Sequence, residues 1–229
     1  MLEADGSDPM KRILAVASGA PAAALAYWFG LRPWSLRWGA TDAERVKPLP
    51  GDDRVPHPKV ESTRAVTIDA PPEDVWPWIA QIGQDRAGFY SYTWLENLVG
   101  CHMRNAGRLV PEWQDIAEGD FVWLHPKAPP LAVNELIPGR AMVLGDSCAF
   151  VLEPAGEGRT RFIMRGRGAY TPDLHNAVLN FVLWRVVYEP AHFIMERKMM
   201  LGIKQRAERL AREKRGRPAG VERVARLVG

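Results

Sequence analysis

Polar and apolar positions alternate along "TRAVTIDA": Ala65, Thr67 and Asp69 fall on one side, Val66 and Ile68 on the other, which predicts a strand. The period then changes. In "PPEDVWPWIAQIG", Val75, Trp78, Ile79 and Ile82 recur at helical spacing and form one apolar stripe. Pro71 and Pro72 suit a first helical turn, and Glu73 and Asp74 stand near its positive end. Pro77 lies inside the stripe and predicts a short or bent helix. A second short helix is predicted over residues 92–99, ended by Gly100.

After Gly119 the texture becomes strand-like. "DFVWLHP", "PLAVNELIP", "RAMVLGD", "CAFVLEP" and "TRFIMRGRGAY" follow one another between Pro, Gly and Ser punctuation, at the spacing of an antiparallel meander. A long helical region runs over about residues 175–214; its first part is very apolar, and Pro190 predicts a kink or a split there. Residues 39–62 are rich in Pro, Gly and charge, and read as an extended connector. The predicted class is α+β: a curved antiparallel sheet whose concave face is covered by a long C-terminal helix. Where the two layers do not interdigitate fully, a pocket is expected.

"TRAVTIDAPPEDVWPWIAQIG" resembles the opening of the START-like, or SRPBCC, superfamily, which includes polyketide cyclases, aromatases and lipid-transfer domains. The meander and final helix are similar to its helix-grip architecture, so the likeness spans residues 63–212. "GFYSYTWLENL", "RLVPEWQDIAEGD" and "EPAHFIMERKMMLGI" resemble a bacterial cyclase-like subgroup. The superfamily supplies no fixed catalytic set to carry over. The likeness implies a pocket for a lipid-, polyketide- or aromatic-like molecule. The expected organisation is an apolar segment at 1–38, a linker at 39–62, the ligand-binding domain at 63–214 and a basic tail at 215–229.

Length and composition fit this picture, since 229 residues with 47% hydrophobic and 25% charged side chains suit one folded domain with appendages. Cys101 and Cys148 form no CxxC pair, which argues against a zinc ribbon or a disulfide framework and for two buried free thiols. The net charge of +3 is uneven: nine basic residues against two acidic ones over residues 197–217 give a local +7, leaving −4 elsewhere. Such a run could attract lipid phosphates or simply be a solvated helix end; with no reader motif beside it, nucleic acid is not an expected partner.

Residues 13–31 carry no charge and are flanked by Lys11, Arg12, Arg32 and Arg37. Three readings stay open: a membrane anchor, a helix packed on the domain, or a cleaved signal. The chain is accordingly expected in the cytoplasm or at a membrane through this segment.

Candidate chemistry gathers around "DRAGFYSYTWLENLVG". Tyr92, Leu95, Glu96 and Val99 share a helix face; if it looks into a pocket, Glu96 has a raised pKa and suits acid–base work. The competing reading pairs Glu96 with Arg104 or Arg108. Tyr92 and His102 are the other candidate catalytic groups, and Trp78, Phe89, Tyr92, Glu96, Trp123 and His192 the candidate ligand contacts. Tyr188, His192 and Glu196 form a row along the last helix that fits either a pocket wall or an outer face, and Arg165 either an anion site or a pair with Glu153. No HExxH, GxGxxG, P-loop or GxSxG is present, so no metal, nucleotide cofactor or hydrolase nucleophile is expected. Three functions follow as expectations: a carrier or binding protein for a hydrophobic small molecule, a cyclase- or dehydratase-type enzyme, or a membrane-tethered lipid handler.

Overall fold

The computed structural model describes residues 21–168 and 177–216. The chain divides into two compact units, 1–36 and 37–229. In the first, residues 21–36 are helical, with a π-helical turn Tyr27–Leu31 followed by an α-helical turn Arg32–Leu36. The rest of the apolar segment, 13–20, lies outside the described residues. Among those described, no helix is long and apolar enough to cross a membrane.

The second unit is α+β. Strands β1 (Val60–Ile68), β2 (Phe121–Val122), β3 (Leu131–Ile137), β4 (Ala141–Leu144), β5 (Cys148–Pro154) and β6 (Thr160–Gly168) form one curved antiparallel sheet in the order β1-β6-β5-β4-β3-β2. Strands β2 to β6 thus make the meander, and the first strand closes beside the last. The run "DFVWLHP" contributes only two strand residues, because Pro126, Pro129 and Pro130 follow at once and cannot donate to a ladder.

Side chains of alternate strand residues face a long helical run, residues 177–216. It comprises an α-helical turn Ala177–Val182, a π-helical turn Leu183–Tyr188 and the α-helix Glu189–Gly216, here called α4. Pro190 does not split the run, which stays helical through it. The wider π turn ends just before it, closed by the Glu189 N–H on the Trp184 carbonyl, and absorbs the bond that proline cannot make. Helix α2 (Pro72–Ala80), which contains Pro77, packs beside α4. Between sheet and helices lie Trp78, Ile79, Phe150, Phe162, Met164, Met199, Met200 and Ile203, all at most 6% exposed. This layer is filled.

The opposite face of the sheet holds a second, smaller core of Ala65, Ala141, Val143, Ala149, Val151 and Ile163, closed by Leu49. Here the expected extended connector is corrected: it packs. Its helix α1 (Asp42–Val46) is started by a full capping box, Thr41 with Glu44. Three arginines on β6 then hold it down. Arg161 pairs with Glu44 at 2.6 Å and donates to the Gly39 carbonyl. Arg165 pairs with Asp52 at 2.6 Å and donates to the carbonyls of Glu44, Arg45 and Lys47. Arg167 donates to the Asp52 carbonyl. Arg165 therefore neither meets Glu153, which pairs with Lys47, nor waits for a ligand.

The Arg161 guanidinium and the Thr41 N–H hold the Glu44 carboxyl down from an ordinary 4.5 to about 2. A depressed carboxylate stabilises the fold above its unfolded pKa and loses that contribution as pH falls through the folded one. The melting temperature is therefore expected to fall between about pH 4.5 and pH 2, and Glu44→Gln to flatten that slope while lowering stability at neutral pH. A Glu44→Gln protein that kept the parent's acid profile would separate the connector from acid stability.

The basic run of α4 is in part spent inside the fold. Lys204 donates to the Thr67 carbonyl, Arg206 to that of Ala106, Arg209 to that of Gly107, and Lys214 pairs with buried Asp74.

Candidate functional site

The loop over residues 83–105 is stitched together before any chemistry is considered. Gly83 and Gly88 bridge each other, and Tyr90, the largest fully buried side chain, follows. Its backbone is left-handed, with φ +56°, a costly state for a tyrosine. Asn105 holds it there: Oδ1 accepts from the Tyr90 N–H at 2.7 Å and Nδ2 donates to the Ser91 carbonyl. The Tyr90 hydroxyl accepts from Gln81 Nε2 at 2.8 Å, and the Arg206 guanidinium lies over its ring at 4.4 Å. Burial pushes this phenol up to about 12.

Helix α3 (Thr93–Leu98) comes next, with Tyr92 as its N-cap. The helix is stopped as predicted: Gly100 takes φ +83°, which the missing Cβ allows. Glu96, in its first turn, is 9% exposed, and its Oε2 is enclosed without a hydrogen-bond partner. Neither Arg104 nor Arg108 pairs with it; among the described residues no ion pair to Glu96 is found. Burial raises its carboxyl pKa. Buried Cys101, whose N–H donates to the Glu96 carbonyl, has its thiol raised by burial and then by the Glu96 charge. His102, exposed, has φ +51°. Two strained non-glycine residues thus bracket a carboxyl with no partner, the kind of neighbourhood where strain is stored at sites.

Other predicted contacts divide between this loop and the rest. Tyr92 is half-buried, with the Lys198 ammonium 5.5 Å over its ring. Trp123 is joined to the loop through Gln84, whose N–H donates to the Trp123 carbonyl and whose Nε2 donates to that of Cys101. Trp78 is 2% exposed, edge-on to Tyr90 at 5.9 Å, and its indole N–H is enclosed without an acceptor. Phe89 packs half-buried on the core.

His192 stands elsewhere, in a cluster that sequence reasoning left half-seen. The polar row is both wall and surface. Glu196 is buried against β1, its Oε2 2.6 Å from Arg64 Nη1, while His192, with a side chain 49% exposed, lies 3.3 Å from the same oxygen. Tyr188 stacks on the His192 ring. Half-buried Cys148 is nearby, its thiol raised to about 12 by burial and then by the Glu196 charge. Arg64 was missed because it stands on the same side of β1 as Val66 and Ile68, and the strand pattern alone names no partner for a charge on that face. Gln81 was missed too: fully buried, it ties Tyr90, Arg108, Val110 and Gln114 together.

Among the described residues no group of three or more His, Cys, Asp or Glu is placed to hold a metal ion. A hollow lies on the connector side of the sheet, between Gly51, Val143, Asp146 and Arg165, with room for about one water molecule. Comparison of the chain with protein-family models, with curated proteins and with solved structures finds no match in any of the three.

Proposed function

We propose that this is a START-like helix-grip domain that binds a small, largely apolar molecule at the loop over residues 83–105, with the Glu96 carboxyl as the polar contact. What carries the reading is the enclosed Glu96 Oε2, a buried polar atom left without a partner, which a ligand hydroxyl would satisfy. The order of strand, two helices, meander and long helix supports the helix-grip assignment. Because the layer between sheet and α4 is filled, the molecule enters at the loop rather than into an open central cavity.

The test uses a fluorescent polyene fatty acid and native mass spectrometry of the purified protein. Glu96→Gln keeps a donor and an acceptor, so it is expected to bind within about threefold of the parent, whereas Glu96→Leu loses one hydrogen bond and about tenfold in affinity. Equal binding by the leucine variant removes Glu96 from the site. Stability gives a second readout. A carboxyl with a raised folded pKa costs stability as pH rises through that value, so both variants are expected to melt higher at neutral pH and to lose that slope.

A second reading, acid–base catalysis of the cyclase or dehydratase type, is favoured by the same raised carboxyl between strained Tyr90 and His102. Under it, Glu96→Gln binds as before but abolishes turnover.

A further inference from the structure

The helical run 177–216 has two apolar sides, and the fold uses one of them. On the inner side, half-buried Trp184, Arg185 and Glu189 lead into buried Phe193, Met199 and Ile203. On the outer side Leu179, Val182, Leu183, Val186, Val187 and Ile194 are 41–55% exposed. These positions are not scattered. The first five fall at i, i+3, i+4, i+7 and i+8, and Pro190, Ala191 and Ile194 carry the row on, which is the stripe a helix shows to an element packed against it. Among the described residues none covers this stripe.

Charge, size and direction select the occupant. The row carries no charged residue, and Arg185, the one Lys or Arg over residues 177–196, is paired with Glu189 one turn on. A helix lying in a bilayer surface is rich in cations along its polar face, and this stretch offers only that neutralised pair. The row can instead face its own copy without setting like charges together, as an isologous contact requires. The six side chains leave on the order of 500 Å² uncovered, and roughly 800 Å² with Val178, Phe181 and Tyr188 at their margins, so two copies cover about 1,000–1,600 Å², the size of a specific interface. Direction follows from the basic run over residues 197–217. Parallel helices would lay two such runs side by side, whereas antiparallel ones place them at opposite ends and oppose the helix dipoles.

The geometry points to a two-fold dimer of this chain, in which residues 179–194 of the two copies pack as antiparallel helices with Val186 and Val187 at the axis. This inference does not rest on the reading of Glu96, and either can fail alone.

The test is sedimentation of the full-length protein over about 1–100 µM, where an interface of this size is expected to associate. The mass is expected to rise reversibly to twice that of the chain, and the melting temperature to rise with concentration. Val182→Asp/Val186→Asp places four carboxylates in the contact and is expected to weaken association at least about a hundredfold. Its circular dichroism and its melting temperature in dilute solution should match the parent, since both positions are exposed. A short thiol-to-thiol cross-linker reads the arrangement without adding charge. Val186→Cys is expected to link to its own copy, Leu179→Cys alone not to, and Leu179→Cys mixed with Ile194→Cys to give the mixed dimer; the parent, carried through the same treatment, is the blank for Cys101 and Cys148. A parent that stays monomeric over this range overturns the proposal, whether it remains in solution or floats with added phosphatidylglycerol vesicles. So does an aspartate variant that dimerises equally well, a Val186→Cys protein that fails to link, or a Leu179→Cys protein that links to itself.

Discussion

Exchanging Glu196 for Gln, or Arg64 for Met, is expected to destabilise the fold by about 3–5 kcal/mol, because each change leaves one buried charge without its counterpart. The pair lies 2.6 Å apart with side chains 3% and 6% exposed, so little water is available to take over. Removing both together, as Arg64→Met/Glu196→Leu, takes away the desolvation cost along with the attraction and is expected to cost far less than either single change. Midpoints of denaturant unfolding give the comparison, and a drop in melting temperature on the order of 10 °C is expected for each single variant in a chain of this size. If the double variant is as unstable as the sum of the singles, the ion pair is not what couples β1 to α4. His192 serves as a control. Half-exposed and 3.3 Å from the same oxygen, it is expected to tolerate substitution by Asn with under about 1 kcal/mol of loss.

That pair also shows where the sequence was legible and where it was not. The period-2 and helical patterns are local, and they foretold β1, the meander, α2, α3 and the Gly100 stop, because each depends on neighbours within a turn or two. They also foretold the row Tyr188, His192, Glu196. What they could not foretell was its partner, since Arg64 is far away in sequence and is set opposite Glu196 only by the packing of α4 on β1. The connector failed for the same reason. Leu49 and Val55 are isolated apolar residues among Pro, Gly and charge, with no period to mark them as buried. The residues that hold the connector down are Arg161, Arg165 and Arg167, whose alternation on β6 looks like a solvent or ligand face until connector carbonyls come to meet them, Gly39 at Arg161, Glu44, Arg45 and Lys47 at Arg165, and Asp52 at Arg167. At Pro190 the helical run continues, because a π turn just before it offers a second local solution that composition does not reveal. For Glu96, spacing named the residue and the face; only the fold showed that neither Arg104 nor Arg108 answers it.

The contact between α4 and the Glu96 loop should be equally sensitive, at a residue with no side chain. Gly202 is buried in the middle of α4, where a glycine costs about 1 kcal/mol relative to alanine in an ordinary helix. Propensity alone therefore expects Gly202→Ala to stabilise. The structure expects the reverse: a Cβ built there would sit 2.5 Å from the Tyr90 carbonyl oxygen and 2.8 Å from its Cβ. Neither atom can easily retreat. The Tyr90 backbone is already in a left-handed state, tied by Asn105, and its hydroxyl is tied by Gln81. The helix is held on the other side of the contact by Ser91, whose hydroxyl donates to the Met195 carbonyl, and by Arg206 over the Tyr90 ring. Overpacking at such a point typically costs about 1–3 kcal/mol, so Gly202→Ala is expected to lose about that much net, and Gly202→Val more, read again as the unfolding midpoint. The loss should be accompanied by a change at Glu96, because the same loop carries it: the pH dependence of stability assigned to its raised carboxyl should shrink as the loop loosens and water reaches it. A Gly202→Ala protein that is more stable than its parent would mean that helix and loop do not approach this closely.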